Sequence, residues 1–394
     1  MVRAGVLQEI RAMRFEALLE RHERGDLGQI EAAEMLGVSE RTFRRWRDRL
    51  RDEGEDGLRD RRLGKASPRR ASASELARMR RLYEELYGGF TVKHFHEQLV
   101  KRHGYKLGYT VTRLDLQAGG LVRKVTRRSA HRKKRPRRPL RGMLLHQDAS
   151  RFAWLPGDER QYDLVVTLDD ATSEVYSAFV VEEEGTASSF RGLAEVIAQH
   201  GLFCALYTDR GSHYFVTREA GGKVSRTAAT QVGRALAQLG IEHIAAYSPE
   251  ARGRSERAFR TLQDRLPKEL ALAGIGDIAT ANRWLAETYI AEHNARFAMP
   301  PERPGTAFVP DQAGAWREIL CVQEERTVGN DNTVKWKRLA LQLPPSPLRP
   351  HFVRARVRVH EYPDGRLAVF YGPHRLARYD AAGVPIETEN ALAA

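Results

Sequence analysis

MLLHQDASRFAWLPGDERQYDLVVTLDDATSEVYSAFVV, residues 143–181, decides how the rest of the 394-residue chain is read. Within it MLLHQD (143–148), YDLVVTL (162–168) and VYSAFVV (175–181) are short runs rich in β-branched and aromatic residues, the composition of strands. The polar DDATS at 169–173 supplies the turn between the second and third. Three consecutive strands are expected.

Downstream, helical and strand patterns alternate. A helix is expected over Thr186–His200, a strand at ALYTD (205–209), a helix over Thr227–Leu239 and a strand at IEHIA (241–245). Helices near Arg254–Leu266 and Ile278–His293 complete the block. The order βββαβαβα over residues 143–310 is that of an RNase H-like α/β core. In such a core Asp148 ends the first strand, Asp209 ends the fourth, and Glu256 lies in the helix after the fifth. With the first and fourth strands adjacent, Asp148 and Asp209 sit side by side, and a helix crossing their edge can aim Glu256 at the same point. Three carboxylates suit hard cations with oxygen ligands, typically two Mg²⁺ (or Mn²⁺) ions about 3.5 to 4 Å apart.

Each acid also has a plainer explanation. Asp148 and Asp209 are alone ordinary strand-end carboxylates, and Glu256 can pair with Arg260 one turn later. Asp169 and Asp170 compete with the trio, but their place between strands reads first as turn formation. What favours the trio is its motif context: HQD (146–148), LYTDRGSHY (206–214) and YSPEARGRSERAFRTLQDRL (247–266), in that order. These resemble the catalytic core of the retroviral-integrase superfamily and, more closely, insertion-sequence transposases of the ISNCY type. The resemblance covers roughly residues 140–310 and implies that Asp148, Asp209 and Glu256 form a DDE triad that holds metal and is catalytic. The 47 residues from Asp209 to Glu256 are a longer spacing than retroviral integrases use; the excess is expected at Phe215–Arg226. Glu250 is expected near the site, and His213, Arg257, Arg260 and Gln263 either contact DNA, orient the triad or form surface ion pairs.

Upstream, GQIEAAEMLGVSERTFRRWRDRL (28–50) reads as helix, turn at Gly37, and second helix capped by Ser39. At about 100° per residue Phe43, Trp46 and Leu50 share one face and Arg41, Arg44 and Arg45 the other. A DNA-binding helix-turn-helix domain is expected over 1–62, with Arg41, Thr42, Arg44 and Arg45 at the DNA; an amphipathic helix with a solvated basic face is the alternative. After the linker RLGKASPRRAS (62–72), three short helices are expected over 73–122, the first capped by Ser74, the second by Thr91 and ending near Gly104, the third running from Tyr109 to Ala118. They suggest a second helix-turn-helix with Thr110, Thr112 and Arg113 at DNA, or a plain three-helix bundle. His94 and His96, in the middle helix, read as surface or packing residues because no third ligand lies near.

Residues 123–142 hold eleven Lys or Arg and no acid, against a net charge of +14 for the whole chain. This tract reads as an extended interdomain arm, with Arg132, Lys133, Lys134, Arg135, Arg137 and Arg138 along phosphates. Beyond Pro310, TVKWKRLALQL (333–343), VRARVRVHEY (353–362) and RLAVFYG (366–372) read as strands of a small β-barrel over 322–380, with a hairpin at Asp364-Gly365. Arg354, Arg356 and Arg358 form either a DNA-facing stripe or a solvated one. The expected fold class is thus multidomain α+β: helical modules, an RNase H-like core and a C-terminal β-barrel.

Two cysteines, Cys204 and Cys321, and no zinc-finger spacing argue against disulfides and structural zinc. No apolar stretch approaches the ~20 residues of a membrane span and the N-terminus lacks a signal-peptide apolar run, so no membrane is expected and a cytoplasmic, nucleoid-associated protein is. If the resemblance holds, the partners are double-stranded DNA, namely the terminal inverted repeats of an element and its target, and the protein acts as a homo-oligomer, a dimer or higher, because two ends are joined in concert. Recombinases that use a nucleophilic serine or tyrosine fit less well, although Tyr207 and Tyr247 stay open. The alternatives are an inactive, sequence-specific DNA-binding repressor and an RNase H-type nuclease.

Overall fold

Strands β1 (Leu145–Phe152), β2 (Tyr162–Asp169) and β3 (Val175–Val181) form an antiparallel meander, Asp148 opposite Val166 and Val166 opposite Ala178. The computed structural model describes residues 2–60, 70–124, 136–217, 223–225, 228–247, 253–312 and 314–386. Helix α7 (Thr186–His200) crosses to β4 (Ala205–Thr208), and α8 (Gln231–Gln238) crosses to β5 (Glu242–Ala245). Both strands run parallel to β1, giving one sheet of order β3-β2-β1-β4-β5. This mixed topology is the expected RNase H-like class.

Both faces of the sheet are covered, which is why every residue of β2 is buried, including the polar Asp163, Thr167 and Asp169. On one face Leu164, Val166 and Leu168 pack with Phe259, Leu262, Leu266 and Leu270 of α9 (Gly253–Ala273). On the other, Leu145 and Leu206 pack with Phe190, Leu193 and Val196 of α7 and Val232 and Leu236 of α8. Gly192 is what lets α7 sit so close: a Cβ there would lie 2.6 Å from Gln147 Nε2.

Beyond α9, helix α10 (Ile278–Trp284), a π-helical turn (Leu285–Tyr289) and α11 (Ile290–Phe297) line the edge strand β3. Asn282 bonds both the N–H (2.6 Å) and the carbonyl (2.9 Å) of Val180, and Asn294 does the same for Val175 at 2.8 Å each. Two side chains thereby cover backbone groups that an edge otherwise exposes.

In the C-terminal part, α12 (Trp316–Ile319) precedes β6 (Val322–Thr327), which with β9 (Arg356–Glu361), β10 (Leu367–Tyr371) and β11 (His374–Tyr379) forms an antiparallel sheet of order β11-β10-β9-β6. Strands β7 (Thr333–Trp336) and β8 (Leu339–Gln342) make a separate hairpin, and both pieces share a core of Trp336, Leu341, Phe352, Val357, Val359 and Tyr379. The run 333–343, expected as one strand, is therefore two, turning at Lys337 with φ +52°. Arg354, with φ +61°, lies off β9, so only Arg356 and Arg358 of the expected stripe share its exposed face.

The N-terminal helices are α1 (Val2–Glu23), α2 (Gln29–Leu36) and α3 (Glu40–Glu53). Gly37 closes α2 in the left-handed region, and Ser39 Oγ accepts the Thr42 N–H at 3.3 Å to cap α3. Phe43 is fully buried against Phe15 of α1, at 5.1 Å between ring centres. Next come α4 (Ala73–Leu86), α5 (Val92–His103) and α6 (Tyr109–Ala118). The cap of α4 is Ser72, whose Oγ accepts the Glu75 N–H, rather than Ser74. Thr91 makes no side-chain cap bond; its hydroxyl donates to Asp264 of α9 instead. The chain forms two compact units, residues 1–82 with 107–115 and residues 83–106 with 116–394, so the helices expected as one module over 73–122 are shared between them. Helix α5 belongs with the core: His94 and Gln98 both bond Glu269 Oε1, at 2.7 and 2.8 Å, and Glu97 pairs with Arg265 at 2.6 Å. Among the described residues no helix is long and apolar enough to cross a membrane.

Candidate active site

The parallel register of β1 and β4 pairs Leu145 with Leu206 and His146 with Tyr207. Continued in step, it brings Asp148 beside Asp209, the first residue after β4. Asp148 is nearly buried, its Oδ1 accepting the Ala149 N–H at 3.1 Å; Asp209 Oδ1 accepts the Gly211 N–H at 2.8 Å, closing the Asp-Arg-Gly turn. Behind them Tyr214, fully buried, donates its hydroxyl to Gln147 Oε1 at 3.0 Å. Burial, then the charges of Glu184, Asp148 and Asp209, push that hydroxyl well above its usual range, so it stays protonated as a donor. Glu184 also lies 3.4 Å from His213 Nε2, without hydrogen-bond alignment.

Glu256 is exposed in the first turn of α9. Among the described residues it makes no ion pair with Arg260, and no three His, Cys, Asp or Glu side chains are grouped closely enough to hold a metal ion. The expected trio is therefore not gathered into one metal-holding group. Asp148, expected to end the first strand, lies within it, because β1 runs on to Phe152 in register with β2. Carboxylate oxygens are the donors that a hard divalent cation takes.

Asp170 was expected to form a turn, but it is Asp169 that does so, accepting the Thr172 N–H at 2.9 Å. Burial pushes the Asp169 carboxyl up against these bonds. Asp170 is fully buried and instead accepts from His146 Nε2 at 2.8 Å, Arg254 Nε at 2.7 Å and the Arg138 N–H at 2.8 Å. Burial raises its carboxyl, and the bonds from His146 and Arg138 and the Arg254 charge outweigh that, holding it at about 2. The pair Asp169-Asp170 beside a His two residues before Asp148 is the sequence signal for this cluster.

The expected DNA residues divide. Arg41, Arg44 and Arg45 are exposed on α3 and Arg257 and Arg260 on α9; Thr110 is exposed and Arg113 half-buried on α6. Thr42 Oγ1 lies 3.0 Å from Ser39 Oγ. Thr112 is fully buried, which removes it from any DNA face. Arg137 is not laid along phosphates: it donates to the Asp170 and Ala171 carbonyls and to Ser173 Oγ at 2.9–3.1 Å, clamping the β2–β3 turn. Arg138 keeps an exposed position, whereas Arg132, Lys133, Lys134, Arg135 and Glu250 lie outside the described residues. Tyr207 is buried, which takes it out of the running as a nucleophile.

A helix-turn-helix domain model matches residues 13–67. Among curated proteins, the chain is 31% identical over 359 residues, 89% of its length, to the putative transposase y4bF of Sinorhizobium fredii, of which it spans 77%. It is 34% identical over 163 residues, 41% of its length, to the transposase for insertion sequence IS1202 of Streptococcus pneumoniae, of which it spans 34%. Among solved structures, a chain of the simian T-cell lymphotropic virus intasome in complex with PP2A regulatory subunit B56 gamma aligns over 68% of this chain and 88% of its own at 16% identity and TM-score 0.32. The HTLV-2 integrase catalytic core in complex with magnesium aligns over 38% of this chain and 88% of its own at 17% identity and TM-score 0.28. The extent and identity of the match to the Sinorhizobium protein place this chain in the transposase family.

Proposed function

We propose that the chain cuts and joins DNA at the inverted-repeat ends of an insertion sequence, with Asp148, Asp209 and Glu256 as its metal-holding carboxylates. The observation that supports the reading is the parallel register of β1 and β4, which, continued two residues past its last recorded pair, would set Asp148 opposite Asp209, with Glu256 in the first turn of α9 on the helix packed against that sheet. Divalent metal bound there, as Mg²⁺ or Mn²⁺ and in two ions, would activate the attacking hydroxyl and neutralise charge on the leaving 3′ oxygen. The chain's own groups orient the acids: the Gly211 N–H holds Asp209, and Tyr214 with Gln147 braces the strand from behind.

Arg41, Thr42, Arg44 and Arg45 of α3 are the candidates to read the element end, with Thr110 and Arg113 of α6 as a second contact. Arg257 and Arg260, beside Glu256, and the basic segment containing Arg132, Lys133, Lys134, Arg135 and Arg138 are candidates for phosphates. Joining two ends in concert requires at least two copies on DNA.

The test is to incubate the purified full chain with labelled duplexes carrying the repeats that flank its gene, with Mg²⁺ or EDTA. Wild type is compared with Asp148→Asn, Asp209→Asn and Glu256→Gln. Metal-dependent nicking and strand transfer should fall on the order of 10³-fold in each variant while binding persists. Tight binding with no cleavage by wild type in any metal supports a repressor instead, and cleavage surviving in the variants shows that other carboxylates act.

A further inference from the structure

We infer that two contacts, Arg254 with Asp170 and Gln263 with Ser150, are positioning contacts that fix where the helix turn bearing Glu256 lies along the strand that bears Asp148. The inference rests on the triad reading above. Asp170 joins three segments at one carboxylate: His146, two residues before Asp148; Arg254, two residues before Glu256; and the N–H of Arg138. Arg254 adds a second bond, to the Asp170 carbonyl at 3.0 Å, and Asp170 itself donates its N–H to Leu144 at the start of β1. Nine residues along α9, Gln263 Nε2 donates to Ser150 Oγ at 2.9 Å.

These two anchors are matched in length. Nine helical residues rise about 13.5 Å, and the four strand residues from His146 to Ser150 span about 13 Å. Helix and strand therefore run in step. His146, Asp148 and Ser150 share one face of β1 by the period of two, so Asp148 lies between the anchors. Glu256, one step inside the Arg254 anchor, can shift along the strand only if one anchor breaks. The apolar contacts of Phe259 and Leu262 fix how close α9 lies to the sheet; the polar anchors fix where along it. In a metal site, residues that orient the ligands are worth about 10- to 100-fold in metal affinity.

The experiment measures Mn²⁺ binding to the full chain without DNA, by the electron paramagnetic resonance signal of free Mn²⁺, alongside melting temperature and binding of the end duplex. The variants are Arg254→Gln, Arg254→Lys, Gln263→Leu and Glu256→Gln. Arg254→Gln should raise the Mn²⁺ dissociation constant about 10-fold or more, Arg254→Lys should recover part of it, and Gln263→Leu should move it the same way. End-duplex binding should stay unchanged throughout. Wild-type Mn²⁺ affinity in both Arg254→Gln and Gln263→Leu, with Glu256→Gln impaired, overturns the inference and leaves the triad standing. Wild-type affinity in Glu256→Gln removes Glu256 from the site and the inference with it. If Arg254→Gln melts early, Gln263→Leu, which strands no charge, decides.

Discussion

Asp170 draws its three partners from sequence positions before and after the sheet turn that it occupies. Replacing it with alanine leaves Arg254 and His146 facing a void in a buried place, a change worth roughly 3–5 kcal/mol when one partner of a buried pair is removed. Urea unfolding of Asp170→Ala at pH 7 checks this, and a loss below about 1 kcal/mol contradicts it. The pH dependence has a definite sign. A carboxyl held at about 2 in the folded chain binds protons less readily than in the unfolded one, so its contribution is full above the ordinary carboxylate value and drains away as pH falls towards 2. Wild type should therefore lose stability on acidification below about pH 4 more steeply than Asp170→Ala. Asp148 and Asp209 could be picked out from sequence because each closes an apolar run, the second followed two residues on by the turn glycine Gly211. Asp170 could not: its neighbour Asp169 satisfies the turn that DDATS spells, and nothing local says that the adjacent acid points away to a helix 84 residues on. Thr112 failed for the opposite reason. On a ten-residue helix a period of 3.6 leaves the buried face uncertain by a residue, and Thr112 falls on the wrong side.

Among the elements, those with chemically marked ends were legible. Gly37 and Ser39 bracket the turn between α2 and α3, and β2 and β3 end within a residue of the expected positions, whereas β1 runs four residues past Asp148 to Phe152. The hairpin of β7 and β8 was hidden because its turn is Lys337-Arg338, with no Gly, Asn or Asp, although Lys337 takes a positive φ that those residues usually supply. Helix α1 was also hidden, since Phe15, Leu18 and Leu19 are buried while Val6, Leu7, Ile10 and Met13 are exposed, which blurs a single apolar face. A prediction at this scale concerns the seam between α7 and β1. Gly192→Ala places a methyl 2.6 Å from Gln147 Nε2 and 3.2 Å from Thr167 Oγ1, so α7 must lift or Gln147 must give up its bonds. Overpacking of this kind costs about 1–3 kcal/mol, and because Tyr214 leans on Gln147, cleavage should fall further than the folded fraction does. Unfolding curves and single-turnover cleavage of the same preparation separate the two; equal losses mean that Gln147 does not brace the site.

For the whole molecule, the charge is unevenly spread, and binding to DNA should show it. Each phosphate neutralised steepens the fall of log K with log salt by roughly 0.9. Exchanging Arg41, Arg44 and Arg45 together for Gln should lower the slope for the end duplex by about 2 to 3, read by anisotropy between about 50 and 200 mM salt. An unchanged slope means that α3 faces away from phosphates. The segment 125–135 should contribute a further, sequence-independent part of the slope.

Helix α9 bears Glu256 in its first turn, while Asp264, Arg265 and Glu269 further along it grip Thr91, Glu97, His94 and Gln98 of the α5 segment. Thirteen residues of helix separate Glu256 from Glu269, about 20 Å, or roughly six base-pair steps of duplex. A single helix, with Pro267 inside it, thus spans the distance between them. If Glu256 acts as proposed, adding or deleting one residue between it and Glu269 would shift it by about 1.5 Å and turn it by about 100° relative to the α5 contacts.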